Sequence, residues 1–258
     1  MTNEIEKLNE NNLINKIYED GLSESVKVIG TGIATCLKFI GSSIEPTMYK
    51  YIKNAEYKKE QISIKLKEKY DKIKLEDRID PRISILGPSV ELLKYNLDEN
   101  YIKEMIVNLL TSEMDSNRQS NVLPSYIDII RQLSFEDALA LEKIYNLYKI
   151  NKEKYIPLIY TEKVLSNKNQ FDFISNHFII ENYSNTTMIS NIKEIIINNL
   201  CRLGLINYNP ILCLTESESY ENGLMLLKSK YKDNDIEYKK CYIEIPQYGI
   251  EFLKICFD

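Results

Sequence analysis

Over the first 150 residues, apolar positions recur at steps of three and four, the spacing that lines one face of an α-helix. Asn3 to Asp20 carries a thin stripe at Ile5, Leu8, Ile14 and Ile17, and Gly21 suits the position just past its end. A second stripe, Leu22, Val26, Ile29, Ile33, Cys36, Leu37 and Ile40, predicts a helix from about Ser23 to Phe39. Its interior Gly30 and Gly32 each cost about 1 kcal/mol relative to Ala. After Pro46 a long charged helix is predicted from Met48 to about Leu75. Its narrow stripe (Tyr51, Ile52, Ala55, Ile62, Leu66, Tyr70, Ile73) suits an arm, a bundle edge or a coiled-coil seam.

Glu76 to Leu86 reads as a linker, and Pro88 as the first residue of the next helix, where its missing N–H costs nothing. Asp98 is a candidate N-cap for a helix with Ile102, Met105, Ile106, Leu109 and Leu110 on one face. Asp115 to Asn121 is a polar loop, and Pro124 starts a helix carrying Tyr126, Ile127, Ile130 and Leu133. Ser134, with Asp137 three residues on, forms a capping-box pattern ahead of a helix burying Ala138, Leu141, Ile144 and Tyr145.

The period changes after Ile150. Tyr155 to Tyr160 predicts a short edge strand, because Pro157 cannot donate to a central ladder. Phe171 to Tyr183 is compatible with either element. Met188 to Leu203 predicts a helix closed by Gly204, Ile211 to Leu214 and Glu237 to Ile245 predict strands, and Gln247 to Phe257 predicts a final helix. Glu216 to Asp235 is polar apart from Leu224 to Leu227. The order of these elements, with LCRLGLI from Leu200 to Ile206, resembles a winged helix-turn-helix. The expected fold is mainly α, in three regions. Residues 1–78 form a helical region with the long basic helix, 79–149 a central helical core, and 150–258 a small α+β winged-helix-like module.

Composition narrows the chemistry. The 258 residues are 44% hydrophobic and 28% charged, ordinary values for a globular chain. A net charge of −5 gives no general attraction for nucleic acid. Between Lys50 and Lys74, however, nine Lys face four carboxylates. Lys58, Lys65, Lys67, Lys69 and Lys72 on that helix, with Lys193 and Arg202 on the winged-helix-like module, are the candidate contacts for phosphates or an anionic membrane surface. The competing reading is a solvated face with interleaved Glu. Five dispersed cysteines, none in a CxxC pair, and the single His177 offer no structural zinc set and fit a reducing cytoplasm. His177 has no motif around it that would mark a Ser-His-Asp or Cys-His site, and no phosphate-cradling GxxxxGK motif occurs. Residues 1–13 lack the pattern of a signal peptide, and no apolar run reaches the roughly 20 residues of a spanning helix. Residues 22–41 could instead meet a membrane peripherally, against the plainer reading of a core helix.

The most distinctive stretch is Leu86 to Asp137. It contains Gly87-Pro88, a helix ending in TSEMDS (Thr111 to Ser116), and LPSYIDIIRQLS (Leu123 to Ser134). This resembles the core of the abortive infection alpha family, bacterial proteins associated with phage resistance, mainly over Ile79 to Ile144 and more loosely beyond. The Pro124–Tyr126 pair and Ile129 to Ser134 follow the family pattern. Leu123 stands where many relatives have histidine, which argues against a shared histidine reaction. The resemblance implies a phage-defence protein. The favoured reading is a non-enzymatic homo-oligomer, without cofactor, acting through contacts with a phage or host protein. The alternatives are a nucleic-acid-binding winged helix, or a metal-dependent nuclease using Glu113 and Asp115. The loop residues Glu113, Met114, Asp115, Ser116 and Arg118 are the candidate partner contacts, with Arg131 expected to pair with Asp115 or Glu113 and lock the loop.

Overall fold

A computed structural model describes residues 33–34, 36–37, 40, 55–164, 173–183, 186–215, 218–231 and 236–258. The expected Asn3–Asp20 helix, the glycine pair at 30 and 32, and the start of the long basic helix lie outside the described residues. The chain divides into two compact units, Met1–Leu133 with Lys254–Asp258, and Ser134–Leu253.

The first unit is helical. Helix α1 (Ala55–Tyr70), α2 (Ile83–Tyr95), α3 (Asn100–Glu113) and α4 (Pro124–Gln132) follow in order. The narrow stripe of the basic helix is buried at Ile62, Leu66 and Tyr70, and α1 packs along α3, so it is a bundle edge. Residues 33, 34, 36, 37 and 40 are helical, and the stripe positions Ile33, Cys36, Leu37 and Ile40 are buried. Pro124 does open α4.

Two helix starts differ from expectation. Helix α2 begins at Ile83, leaving Pro88 inside it. A proline there removes the donor for the carbonyl of Ser84 and crowds it with its ring, and Ser84 is an exposed residue whose carbonyl water can serve. Asp98 does not cap α3: the N-cap is Glu99, without a side-chain cap, and Asp98 instead pairs with Lys58 of α1.

The second unit is a three-layer helix–sheet–helix arrangement. It comprises α5 (Phe135–Asn151), β1 (Tyr155–Val164), β2 (Phe173–Tyr183), β3 (Thr186–Ile192), α6 (Glu194–Arg202), β4 (Asn207–Asn209), α7 (Glu218–Lys230), β5 (Ile236–Glu244) and α8 (Gln247–Phe257), whose last residues count with the first unit. The sheet is antiparallel throughout, in the order β3-β2-β1-β5-β4. Alternation sends Ile159, Phe178 and Ile180 to one face, where they enclose Tyr220 and Leu227 of α7. The opposite face, with Ile179, Ser190 and Ile192, meets α5 and α6. Ser134 caps α5 as a full box: its Oγ accepts from the Asp137 N–H at 3.1 Å, and its own N–H donates to Asp137 Oδ2 at 2.8 Å.

The sheet corrects several expectations. Strand β1 is central, not an edge. Pro157 is tolerated because it precedes the β2 ladder, which opens at the Leu158–Ile179 pair, so that ladder loses no donor. The predicted Met188–Leu203 helix is strand β3 followed by the shorter α6. The apolar residues there satisfy both periods, and pairing with β2 decides. Ile211 to Leu214 is not a strand. The ladder to β5 falls earlier, at β4, and Ile211 is 87% exposed. Helix α7 occupies the stretch read as polar, because Tyr220, Gly223 and Leu227 give it one buried face. Gly204, at φ +71°, ends α6 in the left-handed conformation that a side chain disfavours.

Candidate functional site

The loop after α3 is built around one carboxylate. Glu113 is the last residue of α3 and is fully buried. Its two oxygens receive the Arg82 guanidinium, Nε at 2.7 Å and Nη2 at 2.8 Å, and Oε1 also accepts the Arg82 backbone N–H at 2.8 Å. This is the planar two-bond geometry that suits arginine to carboxylates. The carboxylate holds the guanidinium pKa above its ordinary value. Arg82 Nη2 donates further to the Gln119 and Val122 carbonyls at 3.1 and 2.7 Å. Gln119 Nε2 in turn donates to the Glu113 and Asp80 carbonyls at 3.0 and 3.2 Å.

The other TSEMDS residues fix the same turn. Met114 is completely buried and takes the Cys36 thiol at 3.8 Å. The Ile79 N–H donates to the Met114 carbonyl at 3.1 Å, and the Ser116 N–H to the Asp77 carbonyl at 2.8 Å, so the linker and the loop run as a short bridge. Asp115 Oδ1 accepts the Asn117 N–H at 2.9 Å, a local turn cap. Arg118 Nη2 donates to the Lys254 carbonyl at 2.7 Å. The structure thus gathers Glu113, Met114, Asp115, Ser116 and Arg118 into one network.

Arg131 is not part of it. It pairs with Asp128 on its own helix at 3.2 Å, both side chains being exposed. Position along the chain suggested Arg131, whereas the residue that locks the loop is Arg82, 31 positions before Glu113. The available signal was an arginine immediately after Asp80-Pro81, ahead of the apolar Ile83 and Ile85.

A cleft of about 220 Å3 opens beside this loop. It is lined by Lys69, Lys72, Asn108, Thr111, Asp115 and Arg118, with Ile73 and Asp258 completing it. Asn108 Nδ2 donates to the Cys256 carbonyl at 2.7 Å, while its buried Oδ1 has no partner among the described residues.

Three lysines of the basic helix hold carboxylates within the unit. Lys58 pairs with Asp98, and Lys65 and Lys69 share Glu104 at 2.6 and 3.4 Å. Burial alone would raise the Glu104 pKa, but the two lysines outweigh it and hold it below the ordinary value. In the second unit Lys193 is pinned on both oxygens of Glu136 at 2.6 and 2.8 Å, and Arg202 Nη2 lies 2.8 Å from Asn199 Oδ1.

Sequence reasoning assigned no surroundings to His177. It is buried, with its Nε2 3.0 Å from the Tyr208 hydroxyl and its ring stacked on Tyr160. Burial lowers its pKa. It also pushes the Cys36 and Cys241 thiols up to about 12 and that of Cys256 well above its ordinary value, so these three are protonated and poor nucleophiles at neutral pH. Among the described residues no group of three or more His, Cys, Asp or Glu could hold a metal ion, and no helix is long and apolar enough to cross a membrane.

A central helical core with an interlocked loop, joined in sequence to an α+β unit, is the architecture that carries the TSEMDS and LPSYIDIIRQLS motifs. The sequence profile described as Abortive infection alpha matches residues 53–256, and the chain belongs to that family. No curated protein and no solved structure matches it.

Proposed function

We propose that this chain serves anti-phage defence by abortive infection as a non-enzymatic protein, acting through protein–protein contacts in a homo-oligomer. Family membership supports the defence setting. The observation that carries the non-enzymatic part is the commitment of the loop carboxylates. Glu113 is sealed from solvent and gives both oxygens to Arg82, and Asp115 gives one to a backbone N–H. A catalytic metal needs carboxylates that can face both the ion and a substrate.

A contact surface is on offer in the second unit. Asn209 Oδ1 accepts the N–H groups of Ile211 and Leu212 at 3.0 and 2.9 Å, which orders the turn after β4. That turn presents two consecutive apolar side chains, 87% and 55% exposed. Ordered apolar groups of this kind suit a partner surface, since little entropy is lost when they are covered.

The test is a plaquing assay with a broad phage panel, in cells expressing wild type, the Ile211→Ser/Leu212→Ser double variant or Asp115→Ala. The expected result is protection by wild type and its loss in the double variant at unchanged abundance and melting temperature, with a smaller mass in solution. Absence of protection by wild type would overturn the defence role. Mg2+-dependent nucleic-acid cleavage lost in Asp115→Ala would replace the contact mechanism with a nuclease.

A further inference from the structure

The cleft beside the TSEMDS loop presents two complementary chemistries. The first is cationic. Lys72 is exposed and makes no side-chain hydrogen bond or ion pair among the described residues. Lys69 holds Glu104 only at 3.4 Å, the longer of the two lysine contacts to that carboxylate. Arg118 spends one N–H on the Lys254 carbonyl, and a guanidinium has five.

The second chemistry is a set of acceptors short of donors. Asn108 is 4% exposed, and its amide orientation is fixed by the bond from Nδ2 to the Cys256 carbonyl. That leaves Oδ1 as a buried acceptor without a partner among the described residues. Asp115 has one oxygen on the Asn117 N–H and its second uncommitted among the described residues. Thr111 Oγ1 donates its proton to the Val107 carbonyl at 2.8 Å and so faces the cleft only as an acceptor. A fully ionised anion such as sulfate would meet the cations but leave these acceptors unanswered, and inorganic phosphate carries at most two hydroxyl donors for three acceptors. A ligand with hydroxyl donors and a phosphate would answer both. Carboxylates bonding sugar hydroxyls beside a phosphate-binding cation or helix end are a general solution for such molecules. The volume of about 220 Å3 is below the roughly 300–1,000 Å3 of sites for drug-sized ligands. It suits a single phosphorylated sugar unit.

We propose that this cleft binds a small phosphorylated sugar, with the phosphate held by Lys69, Lys72 and Arg118 and the hydroxyls donating to Asn108, Asp115 and Thr111. The sugar phosphate is either free or the ribose-phosphate part of a nucleotide. Because the site joins the end of the basic helix to the loop that Arg82 locks, its occupancy would brace that loop. The inference rests on the first unit alone and stands apart from the contact mechanism proposed above.

The test is titration calorimetry of the full chain with inorganic phosphate, ribose 5-phosphate and adenosine monophosphate. Ribose 5-phosphate is expected to bind about tenfold or more tighter than phosphate, as extra charge-assisted hydrogen bonds require. Lys72→Glu is expected to weaken it by about tenfold or more, whereas the exposed Lys228→Glu, a matched charge change in the other unit, should alter it less than about twofold. Asp115→Asn should narrow the gap between ribose 5-phosphate and inorganic phosphate, because it removes a hydroxyl acceptor and one repelling charge together. Tighter binding of the monophosphate assigns the site to nucleotides, and equal or weaker binding assigns it to free sugar phosphates. If Lys72→Glu melts early, Lys72→Gln replaces it. The proposal falls if no probe binds at millimolar concentration, if phosphate and ribose 5-phosphate bind equally, or if the Lys72 variants bind like wild type.

Discussion

Glu113 and Arg82 illustrate how one pair of side chains organises a whole loop. The carboxylate is fully buried while the guanidinium side chain is 43% exposed, so the cost of losing either partner is asymmetric. Arg82→Leu leaves a buried carboxylate with only the backbone N–H of residue 82, at 2.8 Å, and Gln119 Nε2, at 3.4 Å, and no cation. Breaking a buried pair from one side costs about 3–5 kcal/mol, and the half-exposed arginine places this case near the lower figure. Replacing both, Arg82→Leu with Glu113→Leu, should recover a substantial part of that loss, because no charge is then left stranded. Urea unfolding of the two single variants and the double variant measures this directly. Equal destabilisation by the double variant and the sum of the singles would show that the pair is not coupled. The sequence could not disclose this partnership, because helical spacing speaks only to neighbours three or four apart. Arg131, expected to reach Asp115 or Glu113, instead takes Asp128 at just that spacing.

Elements were legible where a local rule settles them. The Ser134–Asp137 box, Pro124 at the start of α4, Gly204 past α6 and the final Gln247–Phe257 helix each depend on residues within one turn. They were illegible where tertiary pairing decides. Residues 188–192 can satisfy either period, and only the ladder to β2 makes them a strand. Tyr155–Tyr160 was expected at an edge because the register relative to β2, which spares Pro157, is not written in the strand itself. A contact at this scale gives a sharp prediction. A Cβ built on Gly249 of α8 would lie 2.2 Å from the Leu205 carbonyl oxygen, a backbone atom that no rotamer change can move. Gly249→Ala should therefore cost about 3 kcal/mol, at the upper end for overpacking, despite its better helix propensity. A melting temperature equal to wild type would mean that helix and turn separate freely.

At the scale of the molecule, charge decides between a protein-contact role and a nucleic-acid role. The chain carries −5 overall, and its apparent basic surface is mostly internal bookkeeping. Of the basic residues that pattern and position suggested for phosphate contact, Lys58, Lys65, Lys69 and Lys193 already hold carboxylates, and Arg202 lies on Asn199. Exposed pairs of this kind add little stability. They nonetheless change the thermodynamics of binding DNA. A lysine neutralised by Asp or Glu displaces no counterion unless it abandons that carboxylate, which then faces the phosphate as a like charge. Among the lysines of the set, Lys67 and Lys72 are the two without such a partner among the described residues. With about two to three phosphates neutralised, counting Arg202 on its uncharged Asn199 partner, the logarithm of affinity for duplex DNA should fall with the logarithm of salt at a slope of about −2 to −3, and binding should be negligible at physiological ionic strength. Fluorescence anisotropy with a labelled duplex from low to physiological salt gives the slope. A value steeper than about −5 would require most of these lysines to leave their carboxylates for DNA, and it would favour the winged-helix reading of α6 over one built on protein contacts.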